Sequence, residues 1–127
     1  MTKKKKGKKI LIMGLPGAGK TFLAKKIYKD LKAVWINADV VRRRYKDWDF
    51  SKKGRTRQAQ RLNKLSNRYI YKGKNVIVDF ICPTQDSFKN FKADFVVWVD
   101  TIKKGRHIRK KQLDINKIFK KPKKFDL

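Results

Sequence analysis

The sequence contains no glutamate, and this absence affects how its charge is interpreted. All ten acidic residues are aspartate, whereas lysine and arginine together number 37, which gives a formal net charge of +27. A chain of this length ordinarily carries roughly seven or eight glutamates. Strong positive charge is typical of proteins that bind nucleic acid or another polyanion. We favour a second interpretation, in which surface glutamates have been exchanged for lysines, because many lysines fall where solvated helix faces or loops are expected.

Cysteine and long apolar runs are also scarce. The single cysteine, Cys82, excludes an internal disulfide and a cysteine-based zinc site, and it suits a reducing compartment. Residues 3–9 and 10–13 imitate the basic and apolar parts of a signal peptide, but the apolar run is short and is followed by Gly14 and Pro16. No stretch approaches the length of a membrane span. We therefore expect a cytoplasmic protein without a membrane partner.

The pattern of apolar residues predicts one α/β domain. The 127 residues, 40% of them apolar, suffice for a single core. Short apolar runs predict strands over residues 8–13, 34–37, 75–81 and 94–100, with a fifth strand beginning at 125–127 as an option. Helical spacing predicts helices over residues 18–32 and 55–72, the latter with Gly73 as C-cap, and a helical turn over 40–45, with a polar loop over 46–54. Strands that alternate with helices indicate a parallel sheet of four to five strands in a three-layer sandwich.

Residues 14–21 read Gly-Leu-Pro-Gly-Ala-Gly-Lys-Thr and fit the G-x-x-x-x-G-K-[ST] pattern of phosphate-binding loops. The glycines allow successive backbone N–H groups to point at phosphate oxygens, and the following helix adds the positive end of its dipole. Lys20 can bridge the terminal phosphates of ATP, and the Thr21 hydroxyl can coordinate Mg²⁺. The alternative is a glycine turn that only joins a strand to a helix. The predicted nucleotide-binding residues are Gly14, Leu15, Pro16, Gly17, Ala18, Gly19, Lys20 and Thr21.

Two aspartates are candidates to complete the site. Asp79 ends the apolar run Val-Ile-Val-Asp, where an aspartate can hold Mg²⁺ through water. Asp39 follows the second apolar run. Both are expected at the carboxyl ends of parallel strands, where ligands bind in open α/β sheets. The structural alternatives are a helix N-cap for Asp39 and a strand-end or capping residue for Asp79.

Three further segments follow the phosphate loop: residues 37–42 read Asn-Ala-Asp-Val-Val-Arg, residues 49–55 read Asp-Phe-Ser-Lys-Lys-Gly-Arg, and residues 80–83 read Phe-Ile-Cys-Pro. Together with the loop, these segments resemble the adenylylsulfate (APS) kinase family. The resemblance implies the three-layer P-loop kinase fold and transfer of the γ-phosphate of ATP to the 3′-hydroxyl of adenylylsulfate, which gives PAPS. By this resemblance Asp39 orients the acceptor hydroxyl and the Mg²⁺ shell, so that Lys20 and Asp39 are the predicted catalytic residues, and Thr21 and Asp79 the predicted metal residues.

The resemblance also implies a set of residues that bind the acceptor. Arg42 matches an arginine that grips it, Phe50 an aromatic that packs on its adenine, and Arg55 an arginine that neutralises its phosphosulfate. Ile81 and Pro83 match the segment that lines its pocket. An aromatic face with converging guanidinium groups suits an adenine that carries an anionic tail. The alternatives are a core position for Phe50 and solvated surface positions for Arg42 and Arg55.

Several positions depart from the pattern of the family. Asn37 stands where the family has an aspartate, which removes a negative charge near the reacting phosphate. Gly54 replaces an aspartate, Gln58 an asparagine and Cys82 a serine, and Cys82 is expected as a small pocket or core residue. Residues 103–127 are all that remains to supply the lid of the family, and residues 1–8 form a basic tail of the single domain 1–127.

Three functions stay in competition. The first is an APS kinase with small-molecule nucleotide substrates. The second is a P-loop kinase that acts on another hydroxyl, especially a polynucleotide 5′-end, for which the basic surface is an argument. The third is a nucleotide-binding or polyanion-binding protein with little turnover. Nucleic acid therefore stays open as a partner but is not favoured, and a homodimer also stays open.

Overall fold

The computed structural model describes residues 7–15, 19–81 and 84–99. Four strands and four helices are found in these residues, and every strand pairing is parallel. The strand order in the sheet is β2-β3-β1-β4. In chain order the elements are β1 (Lys9–Met13), α1 (Lys20–Ile27), β2 (Ala33–Asn37), α2 (Ala38–Tyr45), α3 (Lys52–Ile70), β3 (Asn75–Asp79), α4 (Gln85–Phe91) and β4 (Phe95–Trp98).

Helices cover both faces of the sheet, and this confirms the predicted α/β fold with three layers. On one face, the helices α2, α3 and α4 pack against Leu11, Met13 and Val78 in a large apolar cluster. On the other face, Ala24 of α1 packs against Ile12 and Ile77 in a smaller cluster. Because β1 and β3 are covered on both sides, they read as continuous apolar runs. Three predicted features lie outside the described part of the chain. They are the fifth strand at residues 125–127, residues 1–6 of the basic tail, and the lid segment 103–127.

The strand register brings three chain segments to one edge of the sheet. Asp79, the last residue of β3, is the register partner of Ile12 in β1 and of Asn37 in β2. The turn that follows β1, the start of α2 and the end of β3 therefore meet at the carboxyl ends of the strands. Ligands of open α/β sheets bind at this edge. Among the described residues, no helix is long and apolar enough to cross a membrane.

The first two helices differ from their predicted bounds because of local capping. The α1 helix ends at Ile27 rather than near residue 32, and Leu31, expected on its apolar face, is 41% exposed. The chain turns there through Lys32, which adopts a left-handed φ of 49°. The segment predicted as a turn over 40–45 is a two-turn helix, because the Asn37 side chain accepts a hydrogen bond from Val40 N and caps it from Ala38 onward.

Capping also sets the bounds of the later helices. The α3 helix begins at Lys52, within the predicted loop 46–54, because Ser51 Oγ accepts from Gly54 N at 3.2 Å. It ends at Ile70 with Tyr71 as C-cap. Gly73 then terminates the helix in a left-handed conformation with a φ of 84°: Gly73 N donates to the Ile70 carbonyl oxygen and Lys74 N to the Tyr69 carbonyl oxygen, each at 3.0 Å. This confirms the predicted capping role of Gly73. The α4 helix was not predicted. Its N-cap is Thr84, whose side chain accepts from Ser87 N.

Candidate functional site

The predicted phosphate loop joins β1 to α1 at the carboxyl edge of the sheet. Gly14 and Leu15 follow β1, and Gly19 precedes α1 with a left-handed φ of 99°. A Cβ added at Gly19 would meet no atom within 4 Å, so backbone conformation, and not lack of space, favours glycine there. The remaining predicted loop residues, Pro16, Gly17 and Ala18, lie outside the residues that the structure describes.

Lys20 opens α1 and turns its side chain back to Leu15. Its Nζ donates to the carbonyl oxygen of Leu15 at 2.9 Å, and the residue is buried. Burial lowers the pKa of Lys20 to about 8, against the opposing charges of Asp79 and Asp39. The cation is thus held against the Leu15 carbonyl oxygen in an environment that disfavours its charge, and a nearby bound anion would favour the charged form.

Asp79 is the centre of a hydrogen-bond cluster beside Lys20. Its Oδ1 accepts from Asn37 Nδ2 at 2.7 Å and from Thr21 Oγ1 at 3.3 Å. Its Oδ2 accepts from the indole Nε1 of Trp35 at 2.5 Å. Burial raises the pKa of Asp79, and the hydrogen bonds from Trp35 and Asn37 oppose that rise. Three donors from β2 and α1 therefore fix the orientation of one buried carboxylate.

Asn37 uses both ends of its side-chain amide. Its Oδ1 accepts from Val40 N at 3.0 Å, while Nδ2 donates to Asp79 and lies 3.3 Å from Thr21 Oγ1. The interpretation of Asp39 as the helix N-cap is therefore wrong, because Asn37 is the cap of α2. Asp39 is exposed in the first turn of α2, and its charge acts on the pKa of Lys20, which places the two in one electrostatic environment.

The oxygen atoms of Thr21 and Asp79 fit the preference of Mg²⁺ for hard donors. They cannot hold the ion alone. In the described part of the chain, no group of three or more histidine, cysteine, aspartate or glutamate residues could hold a metal. Phosphate oxygens and water would have to complete the shell, which is the usual arrangement for Mg²⁺ in a nucleotide site.

Arg42 is buried and supports the loop between α2 and α3. Its exposure is 5%, and Nη1 donates to the carbonyl oxygens of Asp47 at 2.9 Å and Asp49 at 3.3 Å. Its guanidinium carbon lies 4.5 Å from the ring centre of the half-buried Phe50. Burial lowers the pKa of Arg42. Arg55 is also buried, at 8% exposure, so the alternative of solvated surface positions is wrong for both arginines.

The same loop explains why position 54 is glycine. A Cβ added at Gly54 would lie 2.1 Å from the carbonyl oxygen of Asp49. Asp47 holds the loop against α3 by accepting from Arg57 at 2.8 Å and from Arg61 at 2.8 Å, and the bond to Arg57 lowers the pKa of the Asp47 carboxyl. An aspartate at position 54 would collide with this loop.

A second departure from the family pattern, Gln58, joins two helices. It is fully buried in α3, and its Nε2 donates to the Ala38 carbonyl oxygen at 2.9 Å. This bond ties α3 to the first residue of α2, next to Asn37. Gln58 therefore supports the start of α2 from behind.

The structure brings some predicted residues together and leaves others apart. Lys20, Thr21 and Asp79 form one cluster, and Arg42 and Phe50 form another around the loop 46–51. Ile81 is half-buried just beyond β3, while Cys82 and Pro83 lie outside the described residues. Sequence reasoning missed Trp35. The only signal was an indole, with its single N–H donor, inside the second apolar run.

The chain matches a known domain family over most of its length. Residues 10–96 match the family AAA_33, an AAA domain. No curated protein matches the sequence.

Solved structures share the fold. The Mycobacterium tuberculosis APS kinase CysC in complex with AMPPNP and APS aligns with a TM-score of 0.68 and 23% identity, over 75% of this chain and 63% of that one. A sugar kinase from Janibacter sp. HTCC2649 aligns with a TM-score of 0.69 and 13% identity, over 94% of this chain and 82% of that one. A chain of the Pnkp1/Rnl/Hen1 RNA repair complex aligns with a TM-score of 0.64 and 16% identity, over 88% of this chain and 43% of that one. The chain thus spans less than two thirds of the APS kinase and RNA repair chains, and the likeness shows a P-loop kinase-like α/β fold.

Proposed function

This chain belongs to the AAA domain family AAA_33, and we propose that it is an ATP-dependent phosphotransferase of the P-loop kinase type. One observation carries the proposal: Lys20, Thr21, Asn37 and Asp79 converge beside the loop between β1 and α1. Lys20 and Thr21 place a cation and a hydroxyl at the start of a helix, and Asp79 places a buried carboxylate beside them. Phosphoryl transfer requires such groups for positioning and for charge neutralisation.

The donor side of the reaction rests on α1. Its free N–H groups and Lys20 would receive the β- and γ-phosphates of ATP. Lys20 would exchange its bond to the Leu15 carbonyl oxygen for bonds to phosphate oxygens. Thr21 and Asp79 would hold Mg²⁺, which, when bound, neutralises charge between the phosphates. Asp79 is already oriented for this role by Trp35 and Asn37.

For the acceptor we propose a small adenine nucleotide with a free hydroxyl, adenylylsulfate in the first place. Asp39 is exposed at the edge that carries Lys20 and would orient the hydroxyl. Phe50, backed by the guanidinium of Arg42, would pack on the adenine, and Arg55 would act on the anionic tail. Ile81 and Pro83 would complete the pocket.

A polynucleotide 5′-hydroxyl is the second candidate acceptor. Arg43 and Arg44 are exposed in the last turn of α2, the helix that Asn37 caps in the site. Cations beside the acceptor edge would attract the phosphates that follow a 5′-terminal nucleotide. A small nucleotide has no phosphates to place along α2, so this observation favours the polynucleotide specifically.

The two acceptors are separated by one assay of ADP release with ATP and Mg²⁺, with adenylylsulfate or a 5′-hydroxyl oligonucleotide added in turn. Turnover that depends on adenylylsulfate supports the first proposal, and turnover with the oligonucleotide alone overturns it in favour of the second. ATP binding without turnover on either acceptor indicates a nucleotide-binding protein. Lys20→Ala is the matched control, and activity that survives it would place the active centre elsewhere.

A further inference from the structure

The exposed face of α3 carries positive charge without any negative charge on the same helix. The nineteen residues of α3 include no aspartate or glutamate. Lys53, Arg57, Lys64 and Arg68 are all exposed, and with the exposed Gln60 they fall within an arc of about 80° at 3.6 residues per turn. These five residues form a cationic stripe that is about 22 Å long at the helical rise of 1.5 Å per residue.

Most of this charge has no counter-ion within residues 7–15, 19–81 and 84–99. Arg57 pairs with Asp47 and Asp49. For Lys53, Lys64 and Arg68, no ion pair within 4.0 Å is found among those described residues. Like charges four residues apart on a helix repel each other, as Lys64 does with Arg68, whereas the two carboxylates beside Arg57 offset its repulsion of Lys53. The free protein therefore carries a repulsion that a bound polyanion would relieve.

The packing of α3 determines which polyanion fits the stripe. The opposite face of the helix, with Ala59, Leu62 and Ile70, is buried in the core. No apolar side chain interrupts the stripe, so it lacks the apolar face with which amphipathic helices enter a lipid surface. Its cations form two pairs, Lys53 with Arg57 and Lys64 with Arg68, with a rise of about 6 Å within each pair and about 10 Å between the pairs. Phosphates along an extended strand can reach both pairs.

We propose that the cationic stripe of α3 binds the phosphodiester backbone of single-stranded nucleic acid. A stripe that is one side chain wide can contact the phosphates of one strand only. Because these contacts are to phosphates and not to bases, we expect binding that is independent of the nucleotide sequence. The stripe begins at Lys53, two residues after the Ser51 cap and next to the loop that carries Phe50. The inference goes beyond the proposed phosphotransfer and does not rest on it.

The test compares two variants that remove the same charge from different faces. The stripe variant is Lys53→Gln with Lys64→Gln and Arg68→Gln. The control variant is Lys25→Gln with Lys26→Gln and Lys29→Gln, three exposed lysines in α1 or just after it, on the other face of the sheet. Arg57 is left unchanged because it holds Asp47. The measurement is the fluorescence anisotropy of a labelled oligothymidine of about 20 nucleotides, without ATP, from low salt to about 150 mM.

We expect the unaltered protein to bind the oligothymidine at about 150 mM salt, and the stripe variant to bind it at least about tenfold more weakly. The salt slope should fall by about 2, from three lost phosphate contacts at about 0.7 each for a single strand. The control variant should stay within about twofold of the unaltered protein. Lys20→Ala should bind the oligothymidine normally, which separates this inference from the proposed function.

Four outcomes would overturn the proposal. Equal losses in the two variants would show that only the net charge attracts the strand. Absence of binding by the unaltered protein at about 150 mM salt would also show that the strand is attracted only by net charge, because salt screens such attraction. Tighter binding to a duplex of the same length would reject the single strand, and equal competition by polyglutamate would reject the phosphodiester backbone. Thermal melts of both variants verify that each is folded before it is compared.

Discussion

The Asn37 side chain donates to Asp79 Oδ1 over 2.7 Å and at the same time caps α2 by accepting from Val40 N at 3.0 Å. One amide thereby joins the ends of two strands to the start of a helix. Its Nδ2 also lies against the oxygen atoms of Thr21 and Asp79, the pair proposed for Mg²⁺. The Asn37 side chain therefore borders the proposed Mg²⁺ site.

The first prediction concerns Asn37→Asp. An aspartate could still cap α2, but it would face Asp79 as a second carboxylate without a donor between them. We expect the metal-free protein to lose about 1–3 kcal/mol of unfolding free energy. Mg²⁺ should restore much of that loss, because two carboxylates and the Thr21 hydroxyl would form a stronger cation site. Thermal melts in EDTA and in Mg²⁺ measure both effects.

Asn37→Ala is the matched control for this prediction. It loses the cap and the bond to Asp79 but adds no carboxylate, so Mg²⁺ should raise its melting temperature no more than that of the unaltered protein. An equal response of the two variants to Mg²⁺ would show that position 37 does not face the metal site.

The second prediction concerns Trp35, whose indole N–H reaches Asp79 from the neighbouring strand. Trp35→Phe keeps an aromatic ring in contact with Tyr28, whose ring centre lies 5.6 Å away, but removes the donor. We expect a loss of about 1–3 kcal/mol in urea denaturation, because a partly unsatisfied carboxylate stays buried. In a double-mutant cycle with Asp79→Ala, most of that loss should disappear. A loss that is independent of Asp79 would assign Trp35 to packing alone.

The cluster around Asp79 shows what local sequence patterns can predict and what they cannot. Glycine spacing predicts a phosphate loop after β1, and an apolar run predicts the third strand, because both are local signals. The run predicts a strand over 75–81, whereas β3 ends at Asp79. Trp35 was missed because its bond to Asp79 depends on the order of strands in the sheet, which no local pattern contains. The α4 helix was missed because its seven residues provide too few turns for an apolar period. At Gly54 the sequence shows only a departure from a family pattern, because the steric reason for glycine lies in the loop that contains Asp49.

The third prediction concerns Gly54→Ala in the first turn of α3. Alanine favours a helix by about 1 kcal/mol over glycine, so helix propensity alone predicts stabilisation. A Cβ at this position would instead meet the Asp49 carbonyl oxygen at 2.1 Å. We expect a net destabilisation of about 1–3 kcal/mol, measured by urea denaturation, because the loop must move. Lys53→Ala, exposed and one position earlier, is the control and should change stability by less than about 0.5 kcal/mol. Stabilisation of Gly54→Ala would mean that the loop yields freely.

The fourth prediction concerns the charge of Lys20 and the pH dependence of ATP binding. Burial lowers the pKa of Lys20 in the free protein to about 8, from the ordinary value of 10.5. A triphosphate in the loop would favour the charged amine and raise the pKa again. Above about pH 8, binding must therefore take up a proton, and affinity should fall by up to tenfold per pH unit until the pKa of the complex is reached.

Calorimetry of ATP binding at about pH 9 checks this prediction directly. The observed heat should differ between two buffers of unequal ionisation enthalpy, by an amount that corresponds to uptake of nearly one proton. Lys20→Arg is the matched control, because a guanidinium stays charged throughout this range. Its affinity should be insensitive to pH between about 8 and 10, and its heat should be the same in both buffers. Proton uptake that persists in Lys20→Arg would identify another group as the one that titrates, and absence of uptake in the unaltered protein would show that Lys20 is already charged before ATP binds.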